Sequence, residues 1–211
     1  MNTEALIRAL TADAAVPMTP MRRVMNRALM LGALGSLALF ALLLRPRPDL
    51  ADAWLGIGFV VKVFVTGCLA FTASIAVRKV SSPVTPRSPL RLLWLAPLLL
   101  LAGVILELLT LPPESWVAGV LGRNVSHCLT CIPLLALAPA LCLLLALRRG
   151  APARPGLAGA VAGLAAGGLG ASLYALACPE DSPLFVAAWY SLAIALVTGI
   201  CFLAGRRWLR W

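Results

Sequence analysis

The chain has 211 residues, of which 61 % are apolar and only 12 % charged, and its formal net charge is +10. Soluble domains are about half apolar and a quarter charged, so a soluble globular protein is excluded. With no soluble domain to present a basic face, the positive charge argues for membrane orientation rather than direct nucleic-acid binding.

Residues 1–27 are the one polar stretch of any length. Asn2 or Thr3 is placed to cap a short helix with Glu4 in its first turn, and Pro17 and Pro20 end it. At helical spacing Leu6, Ile7, Leu10 and Ala14 share a face, with Asp13 at its border and Arg8 opposite. So short an amphipathic helix is marginal alone in water, and the segment is expected to order on a partner. Six apolar runs follow, at 28–44, 56–77, 92–111, 128–147, 156–177 and 184–204. Each approaches or reaches the roughly 20 residues that cross a hydrocarbon core, where the backbone must be helical. The first run follows 27 residues that include Glu4 and Asp13, with no small-residue cleavage site, and reads as a retained span. The expected fold is therefore an all-α membrane protein: a cytoplasmic segment, 1–27, and a six-helix domain, 28–211. Pro97, Pro133 and Pro139 fall inside runs, where neighbouring helices satisfy the freed carbonyls. Gly159, Gly163 and Gly167 form a small-xxx-small pattern that permits close helix approach.

Loop charges set the orientation. One side collects Arg8, Arg22, Arg23, Arg27, Arg78, Lys79, Arg87, Arg91, Arg148, Arg149, Arg154, Arg206, Arg207 and Arg210, 14 of the 18 basic residues. The other holds Arg45, Arg47 and Arg123 with Asp49, Asp52, Glu114, Glu180 and Asp181. The positive-inside rule then places both termini in the cytoplasm. Trp54 and Trp116 near one boundary, and Trp94, Trp208 and Trp211 near the other, suit interfacial anchoring.

This topology sorts the cysteines. Cys68, Cys142 and Cys201 lie within spans, as small packing residues. Cys128 and Cys131 open the fourth run and Cys178 closes the fifth, all three on the oxidising side. Cys128-Leu-Thr-Cys131 at a helix start is a position that favours thiolate. Three readings stay open: an incidental arrangement, a redox pair of Cys178 with Cys128 or Cys131, and a soft-metal site of Cys128, Cys131 and Cys178 with His127 nearby. Because His127 adjoins Cys128, both reaching one ion is awkward, and redox pairing is the preferred reading.

Lys62 and Glu107 are the charges within spans. At helical rise they lie about 9 Å and about 6 Å below the outer ends of spans two and three. A mid-bilayer charge costs about 2.5–3.5 kcal/mol on insertion scales, so an intramembrane ion pair is expected, with snorkelling to the interface as the alternative. No phosphate-binding Gly-rich loop, H-E-x-x-H or Ser/His/Asp set is present.

The run Tyr174-Ala-Leu-Ala-Cys178-Pro-Glu-Asp-Ser-Pro-Leu-Phe185-Val-Ala-Ala-Trp189-Tyr190 resembles the hallmark of the NrsF-type family. Leu6-Ile7-Arg-Ala-Leu10-Thr-Ala-Asp13, Arg47-Pro-Asp-Leu50, Cys128 ahead of Ile132-Pro-Leu-Leu135, and the C-terminal Arg-Trp agree with it. The resemblance implies a six-span inner-membrane anti-sigma factor for an extracytoplasmic-function sigma factor, held by the N-terminal segment. It also implies two outward cysteines, here Cys128 and Cys178, that sense stress including oxidants and heavy metals. Cys131 lies outside the pattern. No resident cofactor is expected, beyond transient soft-metal binding at the outer cysteines. Two readings of other classes compete: a membrane thiol–disulfide oxidoreductase using Cys128, Cys131 and Cys178, and a small transporter with Lys62 and Glu107 in its path.

Overall fold

The computed structural model describes residues 3–5, 7, 20–81, 88–150 and 152–209. Leu6, Leu10 and Asp13 of the expected partner-binding face lie outside the described residues, as do Arg210 and Trp211, whereas Ile7 is helical and exposed. Among the described residues six helices are long and apolar enough to cross a membrane: α1 Met21–Leu43, α2 Ile57–Val80, α3 Leu92–Thr110, α4 Val125–Leu147, α5 Pro155–Ala175 and α6 Pro183–Trp208. Among the described residues there is no strand.

Five of the six helices match the apolar runs to within a few residues, because charges and prolines bracket each run. The exception is α1, which begins at Met21 and carries Arg22, Arg23 and Arg27 as helical residues. It passes the expected boundary between 27 and 28 without a break. Pro97 lies in α3 as the third residue of its α-helical part, Leu95–Thr110, just after the 3-10 turn Leu92–Trp94, where a missing N–H costs little. Pro133 and Pro139 do lie inside α4.

α5 is the central helix, packed on α6, α2 and α4. Its small residues explain why. A Cβ on Gly159 or Gly163 would strike the α6 backbone near Cys201 and Thr198; one on Gly168 would strike Ala70 of α2, and one on Gly170 would strike Ile132 and Ala136 of α4. Three neighbours approach to backbone contact on three faces, and the Gly159–Gly163 pattern is the α6 face. α1 lies on α4, with Gly32 against Pro139 and the Ser36 hydroxyl donating to the Leu135 carbonyl at 2.7 Å. α3 packs mainly on α2 and is the least buried helix.

Two ends result. One core cluster gathers Met25, Val80, Leu147, Ala158 and Leu209 at the arginine-rich end. The other gathers Phe40, Cys128, Tyr174, Cys178, Phe185 and Tyr190 at the opposite end. Cys201 is buried in a third cluster between α4, α5 and α6.

Candidate functional site

The α5–α6 connection, Cys178 to Pro183, is drawn inward and held by every neighbouring segment. Lys62 of α2 is 1 % exposed, and its ammonium donates to the Cys178 carbonyl at 2.9 Å, the Glu180 carbonyl at 3.0 Å and Asp181 Oδ1 at 2.7 Å. Arg47, from the α1–α2 connection, grips the same carboxylate with Nη1 at 3.0 and 2.8 Å. Its remaining donors reach Asp49 at 2.8 and 2.6 Å, and its backbone N–H reaches the Leu176 carbonyl at 3.1 Å. The Asp49 hydrogen bonds, then Asp181, raise the Arg47 pKa further above its ordinary value. In return the Arg47 hydrogen bonds pull Asp49 down to about 2. Phe59, itself 1 % exposed, presents its ring to both cations, with Lys62 Nζ at 5.3 Å and the Arg47 guanidinium at 5.6 Å. Gly58 is required beside it, since a Cβ there would collide with the Asp181 carbonyl.

The rest of the loop is tied as tightly. Glu180 accepts from the Arg123 backbone N–H at 2.9 Å and from Asn124 at 3.4 Å, joining the loop to the start of α4. The Ser182 hydroxyl caps the first turn of α6 through the Phe185 N–H. Glu107 of α3 reaches the same helix start and accepts the Leu184 N–H at 2.8 Å, where the helix dipole favours a carboxylate. Gly122, at φ +50°, turns the α3–α4 connection under the Phe185 ring, where a Cβ would not fit.

The expected Lys62–Glu107 ion pair is therefore not formed. Lys62 pairs with Asp181, and Glu107 caps α6. The physical reason is that the inward-folded loop offers Lys62 two carbonyls and a carboxylate, whereas α6 offers Glu107 an orphan N–H. Lys62 does not snorkel to a free interface either; its charge is buried and fully partnered.

Beneath the latch lie the thiols. All six cysteines, each among the described residues, are free. Cys128 and Cys178 are 0 % and 1 % exposed and share one apolar cluster, with Cys131 packed at its edge. Cys128 and Cys178 are thus enclosed in the protein rather than open at its surface. The Cys128 N–H already bonds the Asn124 carbonyl, one turn inside α4, so Cys128 is not at the open helix terminus. Among the described residues no three His, Cys, Asp or Glu side chains are grouped to hold a metal ion, so Cys128, Cys131 and Cys178 are not assembled as a ligand set. Tyr174, one turn before Cys178, and Tyr190 adjoin the pair, their rings 5.7 Å apart. Tyr190 sits on a π-helical turn, Val186–Tyr190, and its buried hydroxyl has no hydrogen-bond partner among the described residues.

Sequence reasoning missed Arg47, Phe59 and Asp181 as one charge network, and Tyr190 as a neighbour of the thiols. The available signal was Lys62 itself: a buried ammonium needs a counter-ion on its own side, and Glu180 and Asp181 sit there together.

Residues 10–211 match the sequence profile of the NrsF family, described as negative regulator of sigma F. The chain is 39 % identical over 221 residues to the anti-sigma-F factor NrsF of Caulobacter vibrioides, covering all of both chains. It is 33 % identical over 214 residues, again covering all of both, to the probable anti-sigma-F factor NrsF of Azospira oryzae. No solved structure matches it significantly.

Proposed function

The chain belongs to the NrsF family of negative regulators of sigma F, and on that premise we propose that it is a multi-pass anti-sigma factor of the bacterial inner membrane. Both termini face the cytoplasm. The N-terminal segment, through the face of Leu6, Ile7, Leu10 and Asp13, holds a sigma factor of the extracytoplasmic-function class and occludes its polymerase-binding surface. The observation that carries this reading is the end-to-end likeness to two anti-sigma-F factors.

The stimulus acts at Cys128 and Cys178, which the two-end architecture brings into one cluster. A two-electron oxidant joins them as a disulfide, taking two electrons and two protons from the thiols. A thiophilic metal ion bridging the two sulfurs is the corresponding metal stimulus. Either bond displaces Cys178, whose carbonyl is held by Lys62, and so disturbs α2 and α5 together. Catalysis has no part in this scheme. A thiol–disulfide oxidoreductase would need a substrate to reach Cys128, which is enclosed by Ile132, Tyr174 and Phe185.

The test is co-purification. Full-length chain should retain the co-expressed sigma factor, and deletion of residues 1–16 should abolish retention and make transcription constitutive. Cys128→Ser and Cys178→Ser should keep resting retention and lose release by oxidant or metal. If the deletion leaves retention intact, the anti-sigma site is elsewhere; if both serine variants still respond, the sensing assignment fails.

A further inference from the structure

We propose that the arginine-rich end of α4 is a binding site for an anionic phospholipid, with Arg148 at its centre. α1 and α4 meet at backbone contact where Gly32 faces Pro139. Over the next turns toward the arginine-rich end, a cleft of about 510 Å³ opens between them, lined by Arg23, Arg27, Arg148 and Arg149. On the other flank of α4, a second cleft of about 490 Å³ is lined by Arg148, Arg207 and Trp208. Arg148 belongs to both.

Three features identify the occupant. Among the described residues no carboxylate pairs with any of these five arginines, so no described side chain neutralises their charge and an anion is needed beside them. Guanidinium groups match phosphate oxygens two at a time. Below the arginines the clefts are floored by Leu31 and Leu145 on one side and Leu141 and Leu145 on the other, exposed at 62 %, 64 % and 53 %. These leucines lie within helices apolar enough to cross a membrane. The ligand must therefore carry a phosphate and an apolar chain on the same molecule. A soluble anion leaves the leucines bare, and an acidic protein surface does not reach into hydrocarbon. Two clefts that meet at Arg148 fit a headgroup with two phosphates better than one, with Arg23, Arg27 and Arg149 beside one phosphate, Arg207 beside the other and Arg148 between them.

Native mass spectrometry of the full-length chain in detergent, titrated with cardiolipin, phosphatidylglycerol or phosphatidylcholine, tests this. Cardiolipin should bind tightest and both anionic lipids at least about tenfold tighter than phosphatidylcholine. Each arginine that lines a cleft should contribute about fivefold, so R27Q/R148Q should lose about thirtyfold in affinity. R27K/R148K, which keeps the charge but not the two-pronged fork, should bind more weakly than the parent and more tightly than R27Q/R148Q, while eluting like the parent, and so separates site loss from misfolding. R91Q/R206Q removes two arginines of the same end that line neither cleft, and should stay within about twofold. Equal losses in the two glutamine pairs would mean diffuse surface charge and overturn the site. So would phosphatidylcholine binding as tightly as the anionic lipids, displacement by millimolar inorganic phosphate, or an R27Q/R148Q variant that keeps cardiolipin but loses a co-expressed protein partner.

Discussion

Lys62 is the residue whose removal tests the latch most directly, and a double-mutant cycle separates its true partner from the expected one. Lys62→Met removes three hydrogen bonds. Asp181 keeps both contacts from Arg47 and is 29 % exposed, so its carboxylate is not orphaned. The loss comes from the Cys178 and Glu180 carbonyls, at about 1–3 kcal/mol for each buried acceptor left unpaired, or about 3 kcal/mol together. Asp181→Asn should cost more, about 3–5 kcal/mol, because it leaves the buried ammonium with no carboxylate. The double variant should cost well under the sum, giving a coupling of about 1.5–3 kcal/mol, as for other groups in one network. The parallel cycle of Lys62→Met with Glu107→Gln should be additive to within about 0.5 kcal/mol. Reversible unfolding in mixed micelles, followed by tryptophan fluorescence, measures all five variants. A larger coupling with Glu107 than with Asp181 would refute the reasoning, as would a Lys62→Met variant as stable as the parent.

Glu107→Gln should by itself lose about 1 kcal/mol, the worth of a carboxylate at a partly buried helix start, read in the same unfolding series. Gly168→Ala should loosen the α2–α5 contact by about 1–3 kcal/mol, because the added carbon meets the Ala70 backbone at 2.8 Å. A maleimide should label Cys131, which is partly exposed, well before Cys128 or Cys178, as peptide mass spectrometry of briefly treated protein will show. Asp49, lowered to about 2 by Arg47, binds its proton more weakly folded than unfolded. Its stabilisation is therefore full above the unfolded value near 3.8 and is lost as pH falls toward 2. Asp49→Asn should flatten that acid limb of the unfolding curve, because it removes the contribution that the parent carries through the neutral range.

The spans were legible because charge and proline bracket each apolar run, and the helical requirement of lipid leaves no other reading. Helix α1 was cut short at Arg27 because hydropathy reads Met21 to Arg27 as polar, although arginines project freely from a helix end. The Lys62–Glu107 expectation failed for a different reason. Depth along straight helices puts Lys62 and Glu107 near one level, but it says nothing of an α5–α6 connection that folds into the bundle and takes up the lysine. Pro179 and Pro183 remove two N–H donors from that loop, and its carbonyls at Cys178 and Glu180 are satisfied by the lysine instead. Sidedness placed Cys128 and Cys178 at the same end, yet their burial depends on Tyr174, Phe185 and Tyr190 closing over them, which no periodicity reveals.

Burial of the thiols and the charged latch above them bear on how large a stimulus the proposed sensor needs. Shifting a two-state bundle from 1:99 to 99:1 requires about 5.5 kcal/mol of differential stabilisation. A disulfide between segments supplies about 2–4 kcal/mol, which falls short. The shortfall has to come from contacts that the resting state loses when Cys178 moves, and the three Lys62 bonds are the nearest ones. On the proposed reading the Lys62 contacts serve two purposes: they keep oxidant from the thiols at rest, and their loss supplies the remainder of the switch. Lys62→Met gives up about 3 kcal/mol of resting-state contacts, about the whole of the roughly 2.7 kcal/mol that holds a resting equilibrium at 1:99, so it should release about half of the partner without oxidant and lower the dose needed for the rest. It should also speed maleimide labelling of Cys178 in step. A Lys62→Met protein that holds its partner, labels faster and still needs the parental dose would separate access from switching and remove the latch from the mechanism.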